Sequence, residues 1–278
     1  MKEPDYSSRV RGCLLGGAIG DAFGYEVEFD SLARIRQRFG PAGMVEPVRH
    51  RGRLVVSDDT QMTLFTAEGL LRARSAGCLA DLDATLEHLR LATLDWYLTQ
   101  SCDPAQARDT GALGRSRVMQ ARRAPDNTCL SACAKGAWGS PGRPINDSKA
   151  AIVRALVDGL GLAEAASAAL TLLRSTPRSG PTVAALVAAS AHGASVQGLG
   201  EGWVGEEALA VGYHAALVGE GFAGAVRLAA NHSGDSDSTA SIAGQVLGAA
   251  LGAEVIPEGW EEGLDCAVEL SEMARELA

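Results

Sequence analysis

Hydrophobic residues recur at helical spacing along most of the chain. Over residues 60–76, for example, Met62, Phe65, Leu70 and Leu71 recur at intervals that suit one buried side of a helix. Few segments show the alternation of apolar and polar residues, or the β-branched character, that is typical of strands. The pattern therefore predicts an all-α fold. The predicted helices cover residues 8–24, 60–76, 81–99, 149–174, 182–196, 205–218, 221–230, 239–252 and 262–277.

Two segments lack this helical spacing. Residues 26–57 are predicted to be irregular, with Arg53–Val56 ("RLVV") as at most one short strand. Residues 101–148 are predicted to be rich in loops, because four prolines interrupt them. We find no internal repeat and no linker. The sequence therefore predicts one compact domain over residues 1–278.

The composition narrows the classes of function. A net charge of −9 argues against a general affinity for nucleic acid or an anionic membrane, since either would need a positive surface. Only 5% of residues are aromatic, which favours helices packed closely through small side chains, and we interpret Trp203 and Trp260 as packing residues. A local basic cluster is interpreted as a solvated helix face, with a site for a small anion as the alternative. Its members are Arg115, Arg117, Arg122 and Arg123.

Neither a secretory segment nor a membrane span is predicted. The first residues, "MKEPDYSSRVRG", contain no secretory hydrophobic run, and no segment reaches about 20 uninterrupted apolar residues. The six cysteines show no C-x-x-C spacing, and we interpret Cys129 and Cys133 as ordinary thiols. These features favour a reducing, cytoplasmic location.

Two short segments concentrate oxygen-bearing side chains in front of apolar helices. The first is Ser57–Thr60 ("SDDT") and the second is Asp235–Thr239 ("DSDST"). Each could be an ordinary helix N-cap, because Ser, Thr and Asp accept hydrogen bonds from the free N–H groups of a first turn. A cap needs only one or two oxygens, however, and both segments supply more.

The surplus of carboxylates favours a metal site as the second interpretation. Neighbouring carboxylates repel each other and raise each other's pKa unless a cation lies between them. Four Asp and two hydroxyl side chains suit a pair of hard divalent ions such as Mg²⁺, which prefer oxygen ligands. The His and Cys ligands that Zn²⁺ prefers are not grouped here. From the residues alone, capping and metal binding both stay open.

Three motifs resemble the ADP-ribosylglycohydrolase family, whose bacterial type is the dinitrogenase-reductase-activating glycohydrolase. They are "GCLLGGAIGDAFGYEVEF" (12–29), "SDDTQMT" (57–63) and "NHSGDSDSTASIAGQVLGAALG" (231–252). The resemblance spans nearly the whole chain and implies an all-α, orthogonal multi-helix bundle with a central cleft for two Mg²⁺ or Mn²⁺ ions. Carried over residue by residue, it implies six metal ligands: Ser57, Asp58, Asp59, Asp235, Asp237 and Ser238.

The resemblance also implies a reaction. Members of this family cleave the bond between C1″ of the distal ribose of ADP-ribose and a protein side chain. Vicinal ribose hydroxyls would replace waters on the metal, carboxylates would stabilise an oxocarbenium-like sugar, and water would attack C1″. Glu28 and Asp59 are the implied catalytic residues, and either of them could take the proton.

The middle of the chain departs from the family pattern. The segment "NDSKAAIVRALVDGL" (146–160) begins as expected but lacks the glycines whose N–H groups cradle the pyrophosphate in relatives. Five residues are expected to contact ADP-ribose: Asn146, Ser148, His232, Gly234 and Asp109. For Asp109, capping of a helix is the alternative interpretation.

The leading hypothesis is hydrolysis of arginine-linked ADP-ribose on proteins, ahead of serine-linked or free derivatives. The second hypothesis is an immunity-type protein that neutralises an ADP-ribosylating toxin by binding and occluding it. The third is a dinuclear-metal hydrolase of another substrate, such as a phosphoester. The expected partners are therefore an ADP-ribosylated protein and ADP-ribose, with a cognate transferase toxin under the second hypothesis.

Overall fold

The fold consists of α-helices joined by turns and loops. The computed structural model describes residues 3–101, 111–125, 127–134, 161–176 and 179–278. Within these residues there are thirteen α-helices and no β-strand, which confirms the predicted all-α fold. None of these helices is both long and apolar enough to cross a membrane. The helices are α1 (Tyr6–Gly24), α2 (Leu32–Phe39), α3 (Asp58–Ser75), α4 (Leu82–Ser101), α5 (Gly111–Arg115), α6 (Arg117–Gln120), α7 (Asn127–Ala134), α8 (Leu162–Arg174), α9 (Gly180–Ala189), α10 (Gly205–Val218), α11 (Gly221–Ala230), α12 (Ser236–Leu251) and α13 (Ala267–Leu277).

Both acidic segments begin a helix. Ser57 precedes α3 and accepts a hydrogen bond from the backbone N–H of Asp59 at 3.1 Å. Asp235 precedes α12 and accepts one from the backbone N–H of Ser238 at 3.4 Å. These caps satisfy N–H groups that have no acceptor within their own helix. Capping is therefore confirmed for both segments, but it does not require their other carboxylates.

Helices α1 and α12 run antiparallel and touch through their backbones. Four glycines of α1, spaced every four residues, face α12: Gly12, Gly16, Gly20 and Gly24. A Cβ atom on any of them would lie between 2.1 and 2.4 Å from a carbonyl oxygen of α12, so a larger residue would force the helices apart. The facing positions on α12 are Gly248, Gly244, Ala240 and Ser236. We call these contacts the glycine ladder, and they confirm the predicted packing through small residues.

Other helices cover this central pair. Helices α10 and α11 pack against α12, α13 packs against α1 and α3, and α3 lies along α4. Between α3 and α4, the side-chain oxygen of Gln61 accepts hydrogen bonds from Trp96 and Gln100, each at 3.2 Å. Buried hydrophobic side chains from most of these helices, including Ile19 and Phe23 of α1, form one connected cluster.

Two predictions of irregular structure are wrong in part. Residues 26–57 contain the eight-residue helix α2. Residues 101–148 contain α5, α6 and α7 in their described parts. These helices have four to eight residues, which is too short for a periodic apolar pattern to stand out. The "RLVV" segment forms no strand, and its Leu54 makes one isolated bridge to Leu264.

Several predicted helix ends are also corrected. Helices α3 and α12 begin at Asp58 and Ser236, before the predicted starts, because apolar spacing marks the buried face and misses a polar first turn. The helix predicted over 182–196 ends at Ala189. It is followed by a turn at Gly193, whose φ of 82° lies in the left-handed region. Helix α13 begins five residues later than predicted, at Ala267.

The two tryptophans that were expected to pack behave differently. Trp260 is buried and lies beside Phe23, with 5.5 Å between ring centroids, so this prediction is confirmed. Trp203 is half exposed and stacks on the exposed ring of Phe29 at 6.1 Å, so it packs at the surface and not in the core.

Candidate metal centre

The two acidic segments meet where α3 and α12 begin. The hydroxyl of Ser238 in the second segment donates a hydrogen bond to Asp59 in the first, with 2.7 Å between Oγ and Oδ2. Ser57 and Asp58 are buried, whereas Asp59 is partly exposed. The structure thus brings together the two segments that the sequence separates by more than 170 positions.

Three carboxylates of this centre lie close together, and we call them the acidic trio. They belong to Glu28, Asp235 and Asp237, and one oxygen from each lies within 4.8 Å of the other two. Glu28 follows the end of α1, and the two aspartates stand at the start of α12. Glu28 and Asp237 are buried and Asp235 is partly exposed. The glycine ladder places these positions side by side, because its last contact joins Gly24 to Ser236.

A fourth carboxylate, from Asp21 of α1, lies behind the first acidic segment. It accepts hydrogen bonds from the backbone N–H of Ser57 at 2.9 Å and from that of Thr60 at 3.0 Å. The hydroxyl of Thr60 donates to it as well. Asp21 is fully buried, and burial raises its pKa to about 6 although these hydrogen bonds favour the charged form. Its position fixes the backbone of the segment that carries Asp58 and Asp59.

The carboxylates of the centre oppose each other's ionisation. Burial raises the pKa of Asp59 well above its usual range, and the negative charge of Asp21 adds to this, while the hydrogen bond from Ser238 lowers it. Burial likewise raises the pKa of Asp237, followed by the charge of Asp59. Such a cluster is unfavourable in its ionised form unless positive charge is supplied.

The donor set fits a hard divalent cation. Carboxylate and hydroxyl oxygens are the ligands that Mg²⁺, Mn²⁺ and Ca²⁺ accept, and the acidic trio alone offers three such oxygens within bonding reach of one ion. A bound cation would also offset the repulsion that raises the pKa of Asp59 and Asp237. The residues therefore form an acidic cluster that could hold a metal ion.

An ion pair supports the first segment from the other side. Arg123, with 14% of its side chain exposed, pairs with Asp265, which is 4% exposed. The same guanidinium donates to the carbonyl of Val56 at 2.8 Å, and the Arg123 carbonyl accepts from the N–H of Asp58 at 3.2 Å. The prediction that Arg123 lies on a solvated face is therefore wrong. Arg115 and Arg117 are exposed, as predicted.

The residues just before the second segment are tied to the chain between α1 and α3. The Asn231 side chain accepts from the N–H of Met44 at 2.7 Å and donates to the Met44 carbonyl at 2.9 Å. The hydroxyl of Ser233 accepts from the N–H of Leu32 at 2.9 Å. These bonds hold the start of α2 beside the second segment, which helps to fix the position of the nearby Glu28.

The predicted ADP-ribose contacts are placed only in part. His232 is buried, and its Nε2 lies 2.9 Å from the hydroxyl of Thr239. Burial lowers its pKa. Gly234 has a φ of 146°, and a Cβ there would lie 1.9 Å from the Glu201 carbonyl oxygen. The remaining three contacts, Asp109, Asn146 and Ser148, lie outside the described residues.

Sequence reasoning placed seven site residues in one region and missed two that support them. The structure brings together Glu28, Ser57, Asp58, Asp59, Asp235, Asp237 and Ser238. Asp21 was missed, although a single Asp within an apolar, glycine-rich helix is a signal for a buried carboxylate with a specific partner. Asp265 was missed because no local pattern marks it. The catalytic and ligand roles of the seven stay predictions.

Comparison with known proteins identifies the family. A profile of the ADP-ribosylglycohydrolase family matches residues 2–151 and 149–278, while no curated protein matches the chain. A solved structure described as an "ADP-ribosylglycohydrolase-related protein complex" is similar in fold, with a TM-score of 0.56, 20% sequence identity and 98% of each chain covered. Because the family profile spans practically the whole sequence, the protein belongs to the ADP-ribosylglycohydrolase family, whose members hydrolyse linkages of ADP-ribose.

Proposed function

We propose that this protein hydrolyses the glycosidic bond between ADP-ribose and a protein side chain, with arginine as the acceptor, and so reverses mono-ADP-ribosylation. The observation that supports it is the meeting of Glu28, Asp59, Asp235 and Asp237 in one acidic centre of a chain from this family. The three sequence motifs resemble bacterial relatives, which favours arginine over serine as the acceptor.

Two divalent ions, Mg²⁺ or Mn²⁺, would be held by the oxygen donors of the two acidic segments. The proposed ligands are Ser57, Asp58, Asp59, Asp235, Asp237 and Ser238. When bound, the ions would supply positive charge that fixes the vicinal hydroxyls of the distal ribose. The acidic trio supports this assignment, because it brings oxygens of two proposed ligands, Asp235 and Asp237, within 4.8 Å of each other.

Glu28 and Asp59 are the proposed catalytic residues. During cleavage of the bond from C1″ to the acceptor nitrogen, the sugar gains oxocarbenium character, and the nearby carboxylates stabilise that positive charge. A water held by Glu28 or Asp59 attacks C1″ as the bond to the acceptor nitrogen breaks: its hydroxyl stays on C1″, its other proton passes to the carboxylate, and the carboxylate returns that proton to the leaving guanidine.

Release of ADP-ribose from an arginine-ADP-ribosylated protein tests the proposal. Wild type is compared with Glu28→Gln and Asp235→Asn, with and without Mg²⁺, and Glu258→Gln is the control at an exposed carboxylate. We expect metal-dependent release by wild type and the control, and a loss of at least about a hundredfold in the two site variants. Release from a serine-linked substrate alone would overturn the arginine assignment. Binding of ADP-ribosylated protein without any release would overturn hydrolysis.

A further inference from the structure

A turn before α10 contacts the chain at two places that carry members of the acidic trio. One is the start of α12, with Asp235, and the other is Phe29, next to Glu28. We call residues 200–204 the Trp203 turn. Gly200 and Gly202 within it have φ values of 114° and 85°, in the left-handed region that favours glycine. A Cβ on Gly202 would lie 3.2 Å from the Cβ of Asp235 and 2.9 Å from a methyl group of Thr239. The turn is therefore packed tightly against the start of α12.

The carboxylate of Glu207 holds this turn from the first turn of α10. Its Oε2 accepts hydrogen bonds from the backbone N–H groups of Glu201 and Gly202, each at 3.1 Å. A Cβ on Gly200 would lie 2.5 Å from the Glu207 Cδ, so the backbone passes directly over the carboxylate. A charged acceptor with two N–H donors is a strong local restraint on backbone position.

The restrained backbone in turn holds Asp235. The carbonyl of Glu201 accepts a hydrogen bond from the N–H of Asp235 at 2.8 Å. Gly234 packs against the same carbonyl so closely that a Cβ would be 1.9 Å away. Gly234 and Asp235, two consecutive residues where the second segment begins, are therefore positioned by one carbonyl group. That carbonyl belongs to the same peptide group as the N–H of Gly202 that Glu207 holds.

The other side of the turn reaches Glu28. Trp203 stacks on Phe29 with 6.1 Å between ring centroids and an angle of 16° between the rings. Phe29 is the residue after Glu28 and is largely exposed, whereas Trp203 is half exposed. The Trp203 turn therefore contacts the backbone of one trio member, Asp235, and the direct neighbour of another, Glu28.

We propose that Glu207 is a positioning residue for the metal centre. It acts through the Trp203 turn and sets the distance between Asp235 and Glu28, although it offers no ligand itself. The assignment rests on the proposed function in one respect, because it takes the acidic trio to be a cation site. Supporting residues of this kind commonly change metal affinity by about ten- to a hundredfold.

Three variants separate this role from a general effect on α10. Glu207→Ala removes the acceptor, and Glu207→Gln keeps a neutral oxygen that can still accept both N–H groups. Glu206→Ala is the matched control, since it removes a negative charge from the same first turn of the helix. Each variant is stripped with a chelator and titrated with Mn²⁺ by calorimetry and electron paramagnetic resonance. Thermal unfolding confirms that each one is folded at the temperature of titration.

Tryptophan fluorescence provides the second readout. The accessibility of Trp203 to acrylamide is obtained as the difference between each protein and the same protein carrying Trp203→Phe. We expect Glu207→Ala to bind Mn²⁺ about tenfold more weakly than wild type and to change the quenching of Trp203. We expect Glu207→Gln and Glu206→Ala to stay within about twofold of wild type in both readouts.

Each outcome decides the assignment. Unchanged Mn²⁺ affinity in Glu207→Ala overturns it, and so does an equal loss in Glu206→Ala, which would reveal an effect of helix charge. A wild-type protein that binds no Mn²⁺ overturns the metal centre of the proposed function and this role together. Normal wild-type binding with an unaffected Glu207→Ala overturns the role of Glu207 alone.

Discussion

The hydroxyl of Ser238 donates a hydrogen bond to the carboxylate of Asp59 across 2.7 Å, although the two residues are 179 positions apart in the chain. This bond joins the first turn of α12 to the first turn of α3. It also favours the charged form of Asp59 against the burial that raises the pKa of this group. The two acidic segments are therefore in direct contact through a pair of proposed ligands.

Removal of this hydroxyl should weaken the metal centre. We expect Ser238→Ala to bind Mn²⁺ about tenfold more weakly, because the centre loses an oxygen donor and Asp59 loses a hydrogen bond. Ser238→Thr keeps the hydroxyl and should stay closer to wild type. Calorimetric titration of the chelator-stripped proteins measures both. Equal affinity in Ser238→Ala and wild type would contradict a role for this side chain in the centre.

The glycine ladder should not tolerate a methyl group. In Gly20→Ala the new Cβ would lie 2.1 Å from the carbonyl oxygen of Ala240, so α1 and α12 must move apart. We expect a loss of about 3 kcal/mol in the free energy of unfolding, together with weaker Mn²⁺ binding. Urea denaturation and metal titration test the two effects.

Gly180 provides the matched control for this substitution. It is the first residue of α9, and no atom of the described residues lies within 4 Å of the Cβ that alanine would add. Gly180→Ala should therefore leave stability unchanged or raise it by up to about 1 kcal/mol, through the higher helix propensity of alanine. If Gly20→Ala proved as stable as Gly180→Ala, the close approach of α1 and α12 would be wrong.

Loss of Arg123 should destabilise the protein by leaving Asp265 buried without its partner. We expect Arg123→Met to cost about 4 kcal/mol in the free energy of unfolding. The double variant Arg123→Met/Asp265→Leu should recover most of that loss, because it removes both charges. The exposed Arg117→Ala is the control and should lie within about 0.5 kcal/mol of wild type.

Metal affinity should not recover in that double variant. The carbonyl of Val56 loses its donor in either Arg123 variant, so the first acidic segment loses a support that restored stability cannot replace. We therefore expect weaker Mn²⁺ binding in the single and double variants alike. Full recovery of Mn²⁺ affinity in the double variant would mean that Arg123 affects the centre only through overall stability.

The metal-free protein should lose stability as the pH rises. Burial raises the pKa of Asp21 to about 6 in the folded state, whereas an unfolded chain releases this proton near pH 4. Between these values the folded state binds more protons than the unfolded state, so the free energy of unfolding falls with rising pH. The difference of about 2 pKa units corresponds to about 3 kcal/mol for this residue.

Urea denaturation in the presence of a chelator, at intervals between pH 4 and 7, measures this slope. Raised pKa values of Asp59 and Asp237 act in the same direction. In Asp21→Asn the slope should be smaller, because one of the groups that retain a proton in the folded state is gone. Stability that increases over this range in the metal-free wild type would contradict the prediction.

The sequence predicted the acidic centre because its chemistry is concentrated in short segments. Asp58 and Asp59 are adjacent, and Asp235 and Asp237 stand two positions apart, so each segment could be recognised without knowledge of the fold. Glu28 was included only through the family resemblance, since an isolated Glu after a helix has no distinguishing pattern. The structure places it in the acidic trio.

The supporting residues were not predictable in the same way. Asp265 pairs with Arg123, and Glu207 bonds to the Trp203 turn, but these partners are chosen by tertiary contacts that leave no mark on the local sequence. The polar first turns of α3 and α12 were missed for a related reason, because hydrophobic spacing reports only the buried side of a helix. Short helices such as α2 lack enough turns to show any period.

The glycine ladder has a consequence for how the centre can vary. Backbone atoms, which are the same in every residue, set the separation of α1 and α12, so the side chains on their other faces can change without altering it. The alignment is also discrete: a slip by one repeat of four residues would displace Asp237 along the axis by about 6 Å. That distance exceeds the reach of a coordination bond, so a chain with the helices misaligned would have no functional centre at all.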